Sequence, residues 1–144
     1  MPESFLPDEA ATEALGEVLS RITPPGGTWL LHGDLGEGKT TWVRGFLRGL
    51  GGDPYDVASP TYAVLHRYGL PVGQVFHLDL YRPGPEGVWS LGLEECISAA
   101  DRLVVEWAGG DGPWPTEWVA HLWLEIVGEG RRANWTLPDG SATR

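Results

Sequence analysis

Apolar residues near the N-terminus recur with the period of an α-helix, and glutamates occupy the other positions. Asp8 precedes this stretch and carries a side chain that caps helix N-termini well. The pattern predicts a helix that runs from Asp8 to about Arg21 and ends in the Pro–Gly-rich stretch 23–27. The residues on its apolar face are Ala11, Ala14, Leu15, Val18, Leu19 and Ile22.

A short apolar run and a second helix flank a glycine-rich loop. Residues 28–33 (TWLLHG) predict a buried strand that ends at a glycine. The loop follows, and the next pattern predicts a helix from about Lys39 to Leu50, closed by Gly51 and Gly52.

Strand patterns dominate the second half of the chain. Along residues 73–82 the side chains alternate, with Phe76, Leu78 and Leu80 on one face and His77, Asp79 and Tyr81 on the other. The other predicted elements are an extended segment at 59–69, a loop and short helix at 84–100, a buried strand at 102–107, and a hairpin of residues 121–128 and 132–138. Strands that alternate with helices predict one α/β domain over residues 1–144, with a mostly parallel sheet flanked by helices and an antiparallel hairpin near the C-terminus.

Composition and charge narrow the functional classes. The 144 residues carry 20 acids and 10 bases, a formal net charge of −10, without the basic stripe that a protein uses to grip nucleic acid by itself. Direct binding to DNA or RNA is therefore not expected. The single cysteine, Cys96, excludes an internal disulfide and a cysteine-based metal cluster. The N-terminus lacks a signal-peptide pattern and no apolar run is long enough for a membrane span, so we expect a cytoplasmic protein without membrane contact.

The sequence GDLGEGKTT at 33–41 fits the phosphate-loop pattern G-x-x-x-x-G-K-[ST]. Glycines let successive backbone N–H groups point at phosphate oxygens, and the following helix adds the positive end of its dipole. Lys39 is the only lysine in the chain, and it suits the β- and γ-phosphates as a compact point charge. The predicted nucleotide-binding residues are Gly33, Leu35, Gly36, Glu37, Gly38, Lys39, Thr40 and Thr41. Because guanine readers use a second lysine in an N-K-x-D motif, ATP is the expected nucleotide. The domain is therefore predicted to be a P-loop NTPase domain.

Two acids follow apolar strands where ligands bind in open α/β sheets. Asp79 ends one predicted strand and Glu106 ends another. With the Thr40 hydroxyl they form an oxygen ligand set for Mg²⁺, or one of them orients the attacking water. The alternative is that both are solvated strand-end residues. Thr61 lies in an S-P-T segment that either senses the γ-phosphate or metal, or forms an ordinary turn.

Taken together, these residues resemble the TsaE family, the small bacterial P-loop ATPases of tRNA threonylcarbamoyladenosine synthesis. The motifs that carry the resemblance are GDLGEGKTT (33–41), SPTY (59–62), HLDLYR (77–82) and VEW (105–107). The resemblance implies that Lys39 and its loop bind ATP phosphates, that Thr40 and Glu106 hold Mg²⁺, and that Asp79 fills the Walker B role.

The resemblance also implies a set of further site residues and partners. Thr61 would take the switch-like position, and Glu9, Trp107 and Arg131 would lie near the nucleotide. Glu37 replaces the alanine that is common in this loop, and we expect it to point outward. The implied partners are the TsaD and TsaB proteins, with tRNA met only indirectly through their complex.

Two other functions are compatible with the same residues. One is a small-molecule kinase with Asp79 as general base, although residues 83–101 contain no basic residue to serve as a lid over phosphates. The other is an ATP-gated adaptor that binds the nucleotide without hydrolysing it.

Overall fold

The computed structural model describes residues 2–33, 38–53 and 64–138, and every structural statement below concerns that part of the chain. It contains seven strands and four helices. In chain order these are β1 (Glu3–Leu6), α1 (Glu9–Arg21), β2 (Thr28–His32), α2 (Lys39–Gly49), β3 (Leu65–Leu70), β4 (Gly73–Asp79), α3 (Gly87–Ser90), α4 (Glu94–Ile97), β5 (Arg102–Glu106), β6 (Val119–Val127) and β7 (Gly130–Thr136).

All seven strands form one sheet in the order β1-β7-β6-β2-β5-β4-β3. The four central strands, β6, β2, β5 and β4, are parallel to one another. The outer strands β1, β7 and β3 pair antiparallel. The predicted α/β fold and the antiparallel hairpin near the C-terminus are confirmed, and the parallel part of the sheet is its centre.

The predicted elements match the structure closely, with two differences. Strand β1 was not predicted, because only Leu6 of its four residues is buried and its stability comes from pairing with β7. The region 84–100 contains two four-residue helices where one short helix was expected. The predicted cap of α1 is confirmed, since the Asp8 carboxylate accepts a hydrogen bond from Ala11 N at 2.9 Å.

Apolar clusters cover both faces of the sheet. Helices α1 and α2 pack on one face around Trp29, Trp42 and Phe46. The other face carries Leu30, Val105 and the three residues that were predicted to point one way: Phe76 and Leu78 of β4, and Leu80 just after it. Strands β2, β4 and β5 are largely buried on both sides, so their carboxyl ends are held firmly at the sheet edge.

Helix α2 is held against α1 by glycine contacts. A Cβ added at Gly45 would overlap the backbone carbonyl of Glu13, and one added at Gly16 would overlap the carbonyl of Trp42. The backbones therefore approach more closely than larger side chains would permit. Within the described ranges, no helix is long and apolar enough to cross a membrane.

Candidate functional site

The N-terminus of α2 opens into a cleft at the carboxyl ends of the parallel strands. Gly38 is the N-cap of α2 and has φ 96°, in the left-handed region where glycine is favoured. Helix α2 has no acidic residue in its first turn, so neither an acid nor a side-chain cap occupies the positive end of its dipole. This helix end is a natural binding position for an anion.

Lys39 is buried and lines the cleft. Its ammonium Nζ donates a hydrogen bond to the carbonyl of Gly33 at 2.7 Å and lies 3.8 Å from Glu106 Oε1. The same Nζ lies 3.9 Å from the centre of the Trp107 ring, a cation–π distance. Trp107 itself has φ 62°, a conformation that costs free energy in a non-glycine residue and is concentrated at functional sites. The ammonium is thus positioned by a carbonyl, a carboxylate and an aromatic face.

Asp79 and Glu106 end adjacent parallel strands and are paired in register. Glu106 is buried, and its Oε2 lies 2.5 Å from Nε2 of His77. Asp79 accepts a hydrogen bond from the backbone N–H of Tyr81 at 2.9 Å. Burial raises the pKa of Asp79 above its ordinary range, and the negative charge of Glu106 raises it further. The two carboxylates therefore form a site that would be stabilised by a cation.

A cleft of about 320 Å³ brings most of the predicted site residues together. Gly33 lies beside it and contributes the carbonyl that Lys39 contacts. Leu35, Gly36, Glu37 and Thr61 lie outside the described residues. The predicted residues that line the cleft are Glu9, Gly38, Lys39, Thr40, Thr41, Asp79, Glu106, Trp107 and Arg131.

The cleft is also lined by residues that the sequence did not single out for it. They are Leu6, Asp8, Thr12, Glu129 and Gly130. Asp8 was predicted only as a helix cap. Glu129 lies in the turn of the β6–β7 hairpin, Gly130 begins β7, and Leu6 belongs to β1, which pairs with β7. Leu6, Glu129 and Gly130 reach the cleft because β7 and β1 add to the sheet beyond β6, a long-range pairing that leaves no local signal.

The oxygen donors of the cleft fit Mg²⁺. Thr40 supplies a hydroxyl, and Asp79 and Glu106, paired in register on neighbouring strands, supply two carboxylates that line the same cleft. Mg²⁺ prefers one or two carboxylates together with phosphate oxygens and water, and this ligand set meets that preference. Burial chiefly raises the pKa of Asp79 and the charge of Glu106 adds to it, and a cation bound between the two acids would oppose both effects.

The class of protein follows from the fold and from the position of the glycine-rich loop. The chain is a small α/β domain in which a G-x-x-x-x-G-K-T sequence joins the first parallel strand to the helix that follows it. The family model described as "Threonylcarbamoyl adenosine biosynthesis protein TsaE" matches residues 6–133. The chain belongs to the TsaE family.

Individual relatives agree with the family match. A tRNA threonylcarbamoyladenosine biosynthesis protein TsaE from a Nostoc species is 36% identical over 155 aligned positions, which cover 100% of this chain and 94% of the relative. The protein of the same name from Rickettsia felis is 31% identical over 89% of this chain and 75% of its own length. The crystal structure of YdiB from Bacillus subtilis superposes with a TM-score of 0.73 at 25% identity, covering 96% of this chain and 86% of that one.

Proposed function

We propose that this protein binds ATP with Mg²⁺ and hydrolyses it, and that it thereby supports a TsaD–TsaB complex in forming N6-threonylcarbamoyladenosine in tRNA. The observation that carries the ATPase proposal is the convergence of Lys39, Thr40, Asp79 and Glu106 on one cleft at the N-terminus of α2. Its role in tRNA threonylcarbamoyladenosine synthesis follows from family membership.

The α2 terminus and Lys39 would bind the phosphates. The first backbone N–H groups of α2 have no intrahelical acceptor, so phosphate oxygens satisfy them. The Lys39 ammonium adds a positive charge in a buried setting, where a charge–charge interaction is stronger than in water. Its contacts with Gly33 and Trp107 restrict its conformations, so less side-chain entropy is lost when it binds an anion.

The acid pair and Thr40 would hold the metal. Bound Mg²⁺ supplies charge stabilisation on the transferred phosphoryl group. Glu106 presents Oε1 toward Lys39 while its Oε2 contacts His77, so its carboxylate has one defined orientation. Asp79 either completes the coordination of Mg²⁺ or orients the attacking water. It is suited to both tasks because it lies at the carboxyl end of β4.

The charge of the chain supports an indirect relation to tRNA. A net charge of −10 repels a polyanion, so we assign the tRNA contact to the partner proteins. The kinase alternative lacks a basic lid, since residues 83–101 carry no lysine or arginine. Among the described residues that line the cleft, Arg131 is the one arginine.

ATP turnover with and without a TsaD–TsaB pair tests the proposal. We expect slow Mg²⁺-dependent turnover by the chain alone, a sharp increase when the pair is added, and loss of both in Lys39→Ala. Turnover that the pair leaves unchanged would contradict the partner assignment. ATP binding without any turnover, alone or with the pair, would favour the adaptor function, and phosphorylation of a small hydroxyl compound would favour a kinase.

A further inference from the structure

His77 is the buried group closest to the acid pair that the proposed function leaves without a task. It lies on β4 two residues before Asp79, and its side chain is 1% exposed. Its Nε2 lies 2.5 Å from Glu106 Oε2, and the Glu106 side chain is 5% exposed. Because both side chains are shielded from water, the hydrogen bond between them is stronger than it would be at the surface. Such a bond holds the carboxylate in one rotamer.

The two oxygens of Glu106 have different neighbours. Oε2 contacts His77, whereas Oε1 lies 3.8 Å from the Lys39 ammonium. Since the carboxylate is planar, holding Oε2 also fixes the direction in which Oε1 points. If the imidazole donor were removed, Glu106 Oε2 would remain buried without a hydrogen bond from residue 77. Rotation of the carboxylate toward the Lys39 ammonium would then lower the free energy.

The contacts of the His77 imidazole show which of its nitrogens is the donor toward Glu106. Nδ1 of His77 is buried and has no hydrogen-bond partner among the described residues. A carboxylate oxygen accepts hydrogen bonds, so His77 Nε2 is the donor toward Glu106 Oε2. His77 therefore acts toward Glu106 as a donor with a single available nitrogen.

We propose that His77 is a positioning residue for Glu106: its Nε2–H hydrogen bond holds Oε2 so that Oε1 faces Lys39 and the cleft, where the metal of the ATP complex would bind. This inference rests on the proposed function. Outer partners of this kind orient metal-binding carboxylates, and their loss commonly lowers metal affinity by about 10–100-fold.

Two amide substitutions separate positioning from packing. In His77→Gln the amide nitrogen reaches approximately the position of imidazole Nε2 and keeps a donor for Glu106. In His77→Asn the amide nitrogen stops near the position of Nδ1 and cannot reach Glu106. Both variants are neutral and polar, so they differ chiefly in the hydrogen bond. His66→Asn is the matched control, because His66 lies opposite His77 on β3 and makes no contact with Glu106 among the hydrogen bonds and ion pairs of the structure.

The experiment titrates Mg²⁺ into each protein saturated with a non-hydrolysable ATP analogue, and separately titrates the analogue in the presence of EDTA. We expect His77→Asn to lose about 10–100-fold in Mg²⁺ affinity while metal-free nucleotide affinity changes by less than about threefold. His77→Gln and His66→Asn should stay within about threefold of the unchanged protein in both titrations.

Equal Mg²⁺ affinity in His77→Asn and His77→Gln, when the unchanged protein binds Mg²⁺, would overturn the positioning role and leave the proposed function standing. Failure of the unchanged protein to bind the analogue would overturn both. If His77→Asn does not fold, His77→Leu replaces it, because leucine fills the buried space without a donor, and the same loss is expected.

Discussion

Asp79 and Glu106 lie directly opposite each other in the register of β4 and β5, at the carboxyl ends of two parallel strands. Burial and the neighbouring charge both disfavour ionised Asp79, which is why its pKa is raised. An arrangement of like charges that is costly for the fold is kept at sites where function requires it.

Asp79→Asn should therefore make the protein more stable and less active. The amide removes a half-buried charge that lies beside Glu106, so we expect the melting temperature to rise by roughly 2 °C or more without ligands. ATP turnover should fall by about 100-fold or more, because the carboxylate is lost from the reacting centre. Calorimetry and a phosphate-release assay measure the two effects.

The control for Asp79→Asn is Glu117→Gln, which removes one negative charge from an exposed position. It should change neither the melting temperature nor the turnover appreciably. A destabilised Asp79→Asn protein would contradict the cost that we assign to the acid pair.

We expect the aromatic ring of Trp107 to contribute more to ATP binding than the volume of its side chain does. Its centre lies 3.9 Å from Lys39 Nζ, and a cation–π contact that is shielded from water contributes about 1–2 kcal/mol. Trp107→Leu should weaken ATP binding by roughly tenfold, whereas Trp107→Phe, which keeps an aromatic face, should lose less. Equal affinities in the two variants would show that packing alone explains the residue.

A histidine pair on the face of the sheet opposite to the acid pair should make the stability of the protein depend on pH. His32 Nε2 and His121 Nδ1 are 2.9 Å apart, a hydrogen bond that requires one donor and one acceptor. Burial lowers the pKa of His32, and the charges of His121 and Lys39 lower it further. Burial also lowers the pKa of His121, against an opposing effect of Asp111.

The direction of the effect follows from proton counting. Above about pH 6.5 these histidines are neutral in both the folded and the unfolded protein. As the pH falls below that value, the unfolded chain takes up protons first, so the free energy of unfolding should decrease. Urea unfolding between pH 8 and 5 measures this slope, and the double variant His32→Gln/His121→Gln should show a shallower one. An unchanged slope in the double variant would exclude the pair as its source.

Close packing of α1 on α2 should make Gly45 intolerant of a side chain. A Cβ there would meet the backbone carbonyl of Glu13, which cannot move without shifting the helix. Gly45→Ala should cost about 1–3 kcal/mol of unfolding free energy. Gly110→Ala, at a position where nothing lies within 4 Å of an added Cβ, should stay within about 0.5 kcal/mol. A neutral Gly45→Ala would mean that the helices can separate at little cost.

Local patterns predicted the parts of the molecule that depend on local chemistry. The loop sequence around Lys39, the cap at Asp8 and the alternation along β4 each reflect constraints within about ten residues, and the corresponding elements were predicted correctly. The acids Asp79 and Glu106 were singled out because each ends an apolar strand at the edge of the sheet where ligands bind. Their exact pairing depends on the register of two strands far apart in sequence.

Features set by long-range pairing were not accessible from the sequence. Strand β1 has four residues and no strong alternation, and it is stabilised by β7 at the other end of the chain. Glu129 reaches the cleft only through that same edge of the sheet. The contact of His77 with Glu106 was equally hidden, since a histidine in a strand pattern indicates a buried or supporting residue but not the glutamate beside it.

The most direct test of the central claim is calorimetric titration of ATP into the purified protein with Mg²⁺, using Lys39→Met and Arg21→Met. Both substitutions remove one cation, but Lys39 lies in the cleft and Arg21 is exposed at the end of α1. We predict saturable binding by the unchanged protein, similar binding by Arg21→Met, and at least a tenfold loss in Lys39→Met. Equal affinity in the two variants, or no binding by the unchanged protein, would contradict the assignment of this cleft as the ATP site.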